Sequence, residues 1–169
     1  MKNKGLTLIE MLIVISLVSL LSTFLIIYSH AGENRIILFK EQAQIISVLN
    51  RAKALSIQMF SEPTSPCAFG VNFSKSDNSF LIFKDLAADC KNSDNIYSGS
   101  QELFNKYRLD SRIQFQNLTL NNIIFIPPDP KVLIDNNSNE NEASIILEIS
   151  DKSASLKVKI NKAGQITTQ

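Results

Sequence analysis

The feature that most constrains this chain is an apolar run at its N-terminus. Residues 6–28 carry one charge, Glu10, and residues 11–28 carry none. As a helix, these 23 residues, rising about 1.5 Å each, would reach roughly 35 Å, enough to cross the hydrocarbon core of a membrane. Lys2 and Lys4 precede the run, and the positive-inside rule keeps such an end in the cytoplasm. We therefore expect a single-pass protein of the cytoplasmic membrane whose C-terminal part lies outside the cytoplasm.

Three simpler N-terminal segments compete as explanations of this run, and each leaves a feature unexplained. A secretory signal peptide has a shorter apolar core, with a small-x-small cleavage site after it. A lipoprotein signal ends in a cysteine, and this run has none. A plain membrane anchor fits the length but gives no reason for Glu10, since a carboxylate at mid-membrane costs about 2.5–3.5 kcal/mol on insertion scales. Such a charge indicates a functional residue that has a partner.

The residues around Glu10 suggest what that partner is. The sequence Lys-Gly-Leu-Thr-Leu-Ile-Glu at positions 4–10 resembles the processing site of type IV pilins and pseudopilins. The resemblance implies that prepilin peptidase cleaves between Gly5 and Leu6, and that the new terminus at Leu6 is N-methylated. It also implies that Glu10, with Thr7, acts in assembly, the carboxylate offsetting the terminal amine of a neighbouring subunit. Family members most often carry Phe where this chain has Leu6.

Beyond the apolar run, residues 33–60 keep a helical period and contain no Pro or Gly. Their polar and apolar side chains form stripes on opposite sides, which predicts an amphipathic helix that buries its apolar side. Pro63 and Pro66 end this helix. The predicted apolar stripe is Leu38, Ile45, Leu49, Ala52 and Phe60, and the polar stripe is Lys40, Gln44, Ser47, Arg51 and Gln58.

From Cys67 onward the pattern changes to short strands joined by short turns, which favours an antiparallel sheet. The predicted strands are 67–73, 80–84, 102–109, 112–118, 123–126, 131–134, 143–150 and 155–161, with a last short strand after Gly164. The expected fold class is α+β: a long N-terminal transmembrane-plus-amphipathic helix packed on a small antiparallel β-sheet. This is also the pilin fold, by resemblance. We divide the chain into a leader (1–5), a transmembrane and filament-core helix (6–30), an amphipathic helix half (31–62) and a sheet part (63–169) that forms one domain with the amphipathic half.

Cys67 and Cys90 are the two cysteines of the chain. Joined, they would close a loop of 24 residues, and the chain-entropy estimate for such a loop is about 3 kcal/mol of stabilisation. Because this region is expected outside the cytoplasm, we predict a disulfide. Free thiols are the alternative.

The later part of the chain is similar to the GspH/FimT-type minor pseudopilins. The similar segments are 49–56, which contains an Arg-x-x-Ala pattern, 70–73, 80–83, 126–130 and 158–166. This branch implies a minor subunit of a type IV pilus or of a type II secretion-like pseudopilus. Its partners would be prepilin peptidase, other pilin or pseudopilin subunits and assembly platform proteins.

Two other functions stay open for a chain of this kind. Some FimT-like proteins bind DNA through a basic tail, and Lys152, Lys157, Lys159 and Lys162 could form a modest basic patch here. A solvated strand face is the simpler explanation of these lysines. The other alternative is a membrane-anchored binding or adhesin domain that never polymerises.

An enzyme is disfavoured by the residue inventory. The one histidine, His30, lies at the membrane edge, and no His/Cys/Asp cluster shows ligand spacing, so we expect no catalytic residue, metal site or cofactor. The acidic loop 135–142 could hold calcium weakly, although its spacing is not that of an EF-hand. The formal net charge is +1, from 17 basic and 16 acidic residues, and removal of Lys2 and Lys4 with the leader leaves 15 against 16, or −1. Neither value is the basic excess typical of nucleic-acid binders.

Overall fold

The computed structural model describes residues 7–59, 66–128, 131–137 and 139–169. Its first element is one helix, α1, over Leu8–Met59. The chain forms two compact units, residues 1–36 and residues 37–169, and α1 contributes residues to both. The helical pattern predicted across both halves of this segment is therefore present. Phe60, Pro63 and the cleavage residues Gly5 and Leu6 lie outside the described residues.

The first unit consists of the apolar part of α1. Every side chain from Thr7 to Leu25 is exposed, and Leu8–Leu25 forms the one helical segment among the described residues that is long and apolar enough to cross a membrane. Its mean hydropathy is 2.4. The hydroxyls of Ser16, Ser22 and Thr23 donate to backbone carbonyls within the helix, at 2.8–2.9 Å. These polar groups are thus satisfied without water, which suits a helix in lipid.

The described residues of the second unit form nine strands in two antiparallel sheets. The five-stranded sheet has the order β3-β2-β1-β5-β6, and the four-stranded sheet has the order β4-β7-β8-β9. The first sheet comprises β1 (Ala68–Ser74), β2 (Ser79–Asp85), β3 (Leu103–Arg108), β5 (Asn122–Ile126) and β6 (Lys131–Ile134). The second comprises β4 (Ile113–Gln116), β7 (Glu142–Ile149), β8 (Ser155–Asn161) and β9 (Ile166–Thr168).

The α+β class is confirmed, but the expectation of a single small sheet is wrong in its detail. After β3 the chain leaves the five-stranded sheet, and β4 pairs with β7 instead of with β3. The alternation of Ile113, Gln114, Phe115 and Gln116 fixes which side chains face inward. It does not fix which strand lies alongside, because either neighbour would bury the same face.

One core joins the two sheets to the amphipathic part of α1. Leu38, Ile45, Leu49 and Ala52 are buried as the helical period predicts, and Val48 is buried with them. Core side chains from both sheets pack against this stripe. Phe73 of β1 and Phe115 of β4 meet edge to face, with ring centroids 6.0 Å apart, so the sheets also contact each other directly.

Side-chain hydrogen bonds fasten the same helix to both sheets. The Ser56 hydroxyl donates to the Phe125 carbonyl on β5 at 2.7 Å, and the Gln42 amide donates to the Lys157 carbonyl on β8 at 3.0 Å. The Lys53 ammonium donates to the Gly164 carbonyl at 3.1 Å. Because each bond uses a backbone acceptor, these three contacts do not depend on which side chains the acceptor residues carry.

Glu41 is a buried acidic residue on the same helix. Its side chain is 3% exposed, and its Oε2 atom has no hydrogen-bond partner among the described residues. Burial raises the pKa of the Glu41 carboxyl, while the charge of Lys40 and the backbone N–H of Asp110 act in the opposite direction. The fold is therefore less stable when Glu41 is ionised than when it is protonated.

Gly70 on β1 gives a direct test of how closely the strands of the five-stranded sheet pack. A Cβ at this position would lie 2.5 Å from the Phe83 ring and 2.8 Å from the Ile123 carbonyl oxygen. We expect Gly70→Ala to lower the free energy of unfolding by about 1–3 kcal/mol, because both neighbours would have to move. Chemical denaturation of the full chain in detergent measures this.

The matched control for this substitution is Gly32→Ala, since a Cβ at that helical glycine meets nothing within 4 Å. Alanine is favoured over glycine in a helix by up to about 1 kcal/mol, so this variant should be neutral or slightly stabilised. Equal stability of the two variants would contradict the close packing at Gly70.

Candidate assembly site

Thr7 and Glu10 form a capping box at the start of α1. Thr7 precedes the first helical residue, and Glu10 lies in the first turn. The Glu10 N–H donates to the Thr7 hydroxyl at 3.3 Å, and Glu10 Oε2 accepts from the Thr7 N–H and hydroxyl, each at 3.3 Å. These reciprocal bonds satisfy backbone donors that a helix N-terminus leaves free. The order Thr-x-x-Glu is itself a capping-box pattern, so this arrangement was readable from the sequence in addition to the assembly role implied by resemblance.

The capping box directs the carboxylate, and within the described residues its hydrogen-bond partner is Thr7 and not a cation. Both Thr7 and Glu10 are exposed, and the side chains around them, Leu8, Ile9 and Met11, are apolar and 54–83% exposed. Hydroxyl and amide donors stabilise a carboxylate, but in hydrocarbon an ion also needs an opposite charge nearby. The site is therefore suited to receive a positively charged group from another molecule.

Cys67 and Cys90 are joined by a disulfide in the structure. Cys67 immediately precedes β1, and Cys90 begins a short 3-10 turn, Cys90–Asn92, in the connection between β2 and β3. This connection covers the face of the five-stranded sheet that bears a small second core, and Tyr97 packs against Phe83 with ring centroids 5.8 Å apart. The disulfide thus links the β2–β3 connection to the start of β1.

Three carboxylates come together at the same connection, and their spacing along the chain does not predict the group. Oxygen atoms of Asp85, Asp94 and Glu102 lie within 4.8 Å of one another, close enough to hold a metal ion. Each carboxylate also has donors within the protein. Ser93 donates to Asp85, the Ser98 hydroxyl donates to Asp94 at 2.6 Å, and the Ser98 N–H donates to Glu102 at 2.7 Å. The group fastens the connection at its centre, as the disulfide does at its start.

Asp85 is 1% exposed, and its burial raises the pKa of its carboxyl, with smaller contributions from Asp94 and Glu102 in the same direction and from Ser93 against it. The folded protein therefore holds this proton to a higher pH than the unfolded chain does. Stability is lost as pH rises from the unfolded value of 3.8 through the raised folded pKa.

Asp85→Asn should remove this loss, because asparagine does not titrate. We expect the free energy of unfolding of the variant to rise relative to that of the parent as pH increases through this window. Chemical denaturation at several pH values measures the difference.

Asp151→Asn provides a control of opposite sign for the Asp85 experiment. Hydrogen bonds from Ser153 lower the pKa of Asp151, so its contribution to stability is present at higher pH and is lost as the pH falls. The two difference curves should therefore slope in opposite directions. Parallel curves would contradict the assignment of the Asp85 shift to burial.

Two further regions considered as binding sites are the acidic loop and the lysines of β8. In the acidic loop 135–142, Asp135 Oδ1 accepts from the Asn121 and Asn122 N–H groups at 2.8 and 2.6 Å, so this carboxylate supports a neighbouring turn. Ser138 of that loop lies outside the described residues. On β8, the Lys159 ammonium lies 3.0 Å from Glu142 Oε1, which neutralises part of the basic patch considered for DNA.

Comparison with known proteins gives one match. Residues 1–26 match the family model described as the prokaryotic N-terminal methylation motif. No curated protein and no solved structure shows a significant match to the chain. The first residues of the chain are thus similar to the N-terminal motif of type IV pilin-like proteins, which prepilin peptidase processes. The motif together with the exposed apolar helix fits anchoring in the inner membrane.

Proposed function

We propose that this chain is a minor subunit of a type IV pilus or of a type II secretion-like pseudopilus. Prepilin peptidase cleaves it between Gly5 and Leu6, and Leu6 is N-methylated. The observation that carries the proposal is the match of residues 1–26 to the methylation motif, with Glu10 inside an apolar helix whose side chains from 8 to 25 are all exposed.

Assembly follows from the physical chemistry of that helix. In the membrane the apolar side chains are solvated by lipid, and in a filament the equivalent surroundings are the helices of other subunits. The Glu10 carboxylate needs a positive charge in either setting, and the new amino terminus of a processed neighbour supplies one. Thr7 holds the carboxylate in place from its own chain, at 3.3 Å, so that it is oriented before the neighbour arrives.

The minor-subunit assignment rests on the second unit. Segments 70–73 and 80–83, which resemble the GspH/FimT-type pseudopilins, lie on β1 and β2 and pair with each other in one hairpin. Arg51 lies on the helix that packs beneath this hairpin, within the segment that resembles the same branch. A disulfide in this unit suits an oxidising compartment and hence a C-terminal part outside the cytoplasm. Assembly platform proteins and other pilin subunits are the partners that such a role requires.

Processing is tested by the intact mass and the N-terminal peptide mass of protein taken from its own membranes. We expect the chain to begin at N-methylated Leu6, and we expect reduction to add one hydrogen atom to each of Cys67 and Cys90. An N-terminus still at Met1 in cells with active prepilin peptidase would reduce the segment to a simple anchor and would end the pilus proposal.

Assembly is tested by separating the charge of Glu10 from its capping role. Glu10→Gln keeps the capping box, because glutamine also serves at this position, but it removes the charge. We expect Glu10→Gln and Glu10→Ala to lower incorporation into sheared filaments by tenfold or more, while Thr7→Ser, which keeps a capping hydroxyl, incorporates normally. Incorporation is measured by immunoblotting of the filament fraction.

The outcomes of the Glu10 experiment discriminate between the proposed function and its alternative. If all variants are processed and the charge variants stay in the membrane, Glu10 acts in assembly. If Glu10→Gln assembles as well as the parent, the charge is dispensable. A membrane-anchored adhesin domain that does not polymerise would then be the better assignment.

A further inference from the structure

Strand β3 forms an open edge of the second unit. It is the terminal strand of the five-stranded sheet, and within the described residues its one strand neighbour is β2. Leu103 and Phe104 at the start of β3 are 39% and 40% exposed, and Leu86 in the connection before β3 is 47% exposed. An open edge with exposed apolar side chains is a template on which another strand can pair.

The register determines which backbone groups this edge offers. The Leu109 N–H donates to the Asn78 carbonyl at 3.0 Å, in the same register that pairs Phe80 with Tyr107 and Ile82 with Asn105. In an antiparallel pair, residues that point at their neighbour alternate with residues that point away. Asn105 and Tyr107 therefore bond to β2, and the N–H and C=O groups of Lys106 and Arg108 point outward.

Positive charge accompanies these outward groups. Lys106 and Arg108 are two residues apart, so their side chains share one face of β3, and both residues are exposed. Asp77 offsets part of this charge, as its carboxylate lies 3.8 Å from the Lys106 ammonium in a solvent-exposed pair. On the other face, the Arg51 guanidinium donates to the Tyr107 hydroxyl at 3.2 Å and lies 5.7 Å from the centre of the Phe104 ring.

These charges determine what kind of strand the edge accepts. Residues directly opposite each other in an antiparallel pair have close side chains, and like charges there are destabilising. Pairing of β3 with β3 of a second copy would bring lysine and arginine side chains together, so it is disfavoured. A strand with acidic side chains at alternate positions would instead place them opposite Lys106 and Arg108.

We propose that the β3 edge binds an extended segment of another protein by strand addition, and that this segment carries Asp or Glu at every second position. The backbone groups of Lys106 and Arg108 supply the hydrogen bonds, and their side chains select the acidic partner. Leu103 and Phe104 supply apolar contact at one end. The interaction does not depend on filament assembly, because none of the residues involved belongs to the apolar helix.

The test uses the full chain in lipid nanodiscs with two capped synthetic peptides, Ser-Glu-Val-Glu-Val-Ser and its counterpart with glutamine in place of both glutamates. We expect the acidic peptide to bind at least tenfold more tightly at low salt, with the difference shrinking as salt is added. Amide hydrogen exchange of Lys106 and Arg108 should slow by tenfold or more when it binds. Exchange of the Asn105 and Tyr107 amides, which already bond to β2, should change less.

Two variants at one position separate the backbone from the side chain. Lys106→Ala and Lys106→Pro both remove the charge, but only proline removes the outward N–H, and the bonds to β2 do not use that group. We expect the alanine variant to bind more weakly than the parent and the proline variant not to bind. Arg108→Glu keeps every backbone group and should also abolish binding, which gives a second variant if the proline chain does not fold.

Three results would overturn the proposal. The first is that neither peptide slows exchange at Lys106 and Arg108. The second is equal binding of the two peptides, which would exclude the acidic partner. The third is equal binding by folded Lys106→Pro and Lys106→Ala, which would show that the contact is not an added strand.

Discussion

The fold of the second unit depends on one narrow stripe of α1. Leu38, Ile45, Leu49 and Ala52 lie on that stripe, and the inner faces of both sheets pack against it. Neither sheet could bury its apolar face without this helix, since each covers only one side of the shared core. Ser56 donates a hydrogen bond to β5 and Gln42 donates one to β8, so the same helix is bonded to both sheets. A shift of the helix would therefore disturb both.

Carboxylates in apolar surroundings recur in this chain, and each is stabilised in a different way. Asp85 is buried beside the carboxylates of Asp94 and Glu102 and accepts a hydrogen bond from the Ser93 hydroxyl. Glu41 is buried with one oxygen lacking a partner among the described residues, and burial raises the pKa of its carboxyl. Glu10 accepts hydrogen bonds from Thr7 and lies among exposed apolar side chains. The first two carboxylates are buried in the second unit, whereas Glu10 is exposed, and this exposure is why we propose that another molecule offsets its charge.

The sequence predicts the parts of this structure that are set by a local period. The apolar run gives the helix, the stripe of 3.6-residue period gives its buried side, and alternation gives the strands close to their observed bounds. The partition into two sheets could not be predicted, because β4 has the same alternation whichever strand it joins. The group of Asp85, Asp94 and Glu102 was missed for a similar reason: the fold of the connection, and not the spacing along the chain, brings them together. The Thr7–Glu10 capping box, in contrast, was readable from the sequence.

In the filament that we propose, the two units contribute differently to the affinity and to the specificity for neighbouring subunits. Between residues 8 and 25 every described side chain is exposed, and all except Glu10 are apolar or carry a hydroxyl. In a membrane, such a surface gives no preference for one apolar helix over another. In the proposed filament, Glu10 selects for a positive charge, and each processed neighbour offers the same amine. Under this proposal, discrimination between neighbours falls to the backbone edges and charged side chains of the second unit. An edge such as β3, with its outward groups and its two cations, has the chemistry for that discrimination.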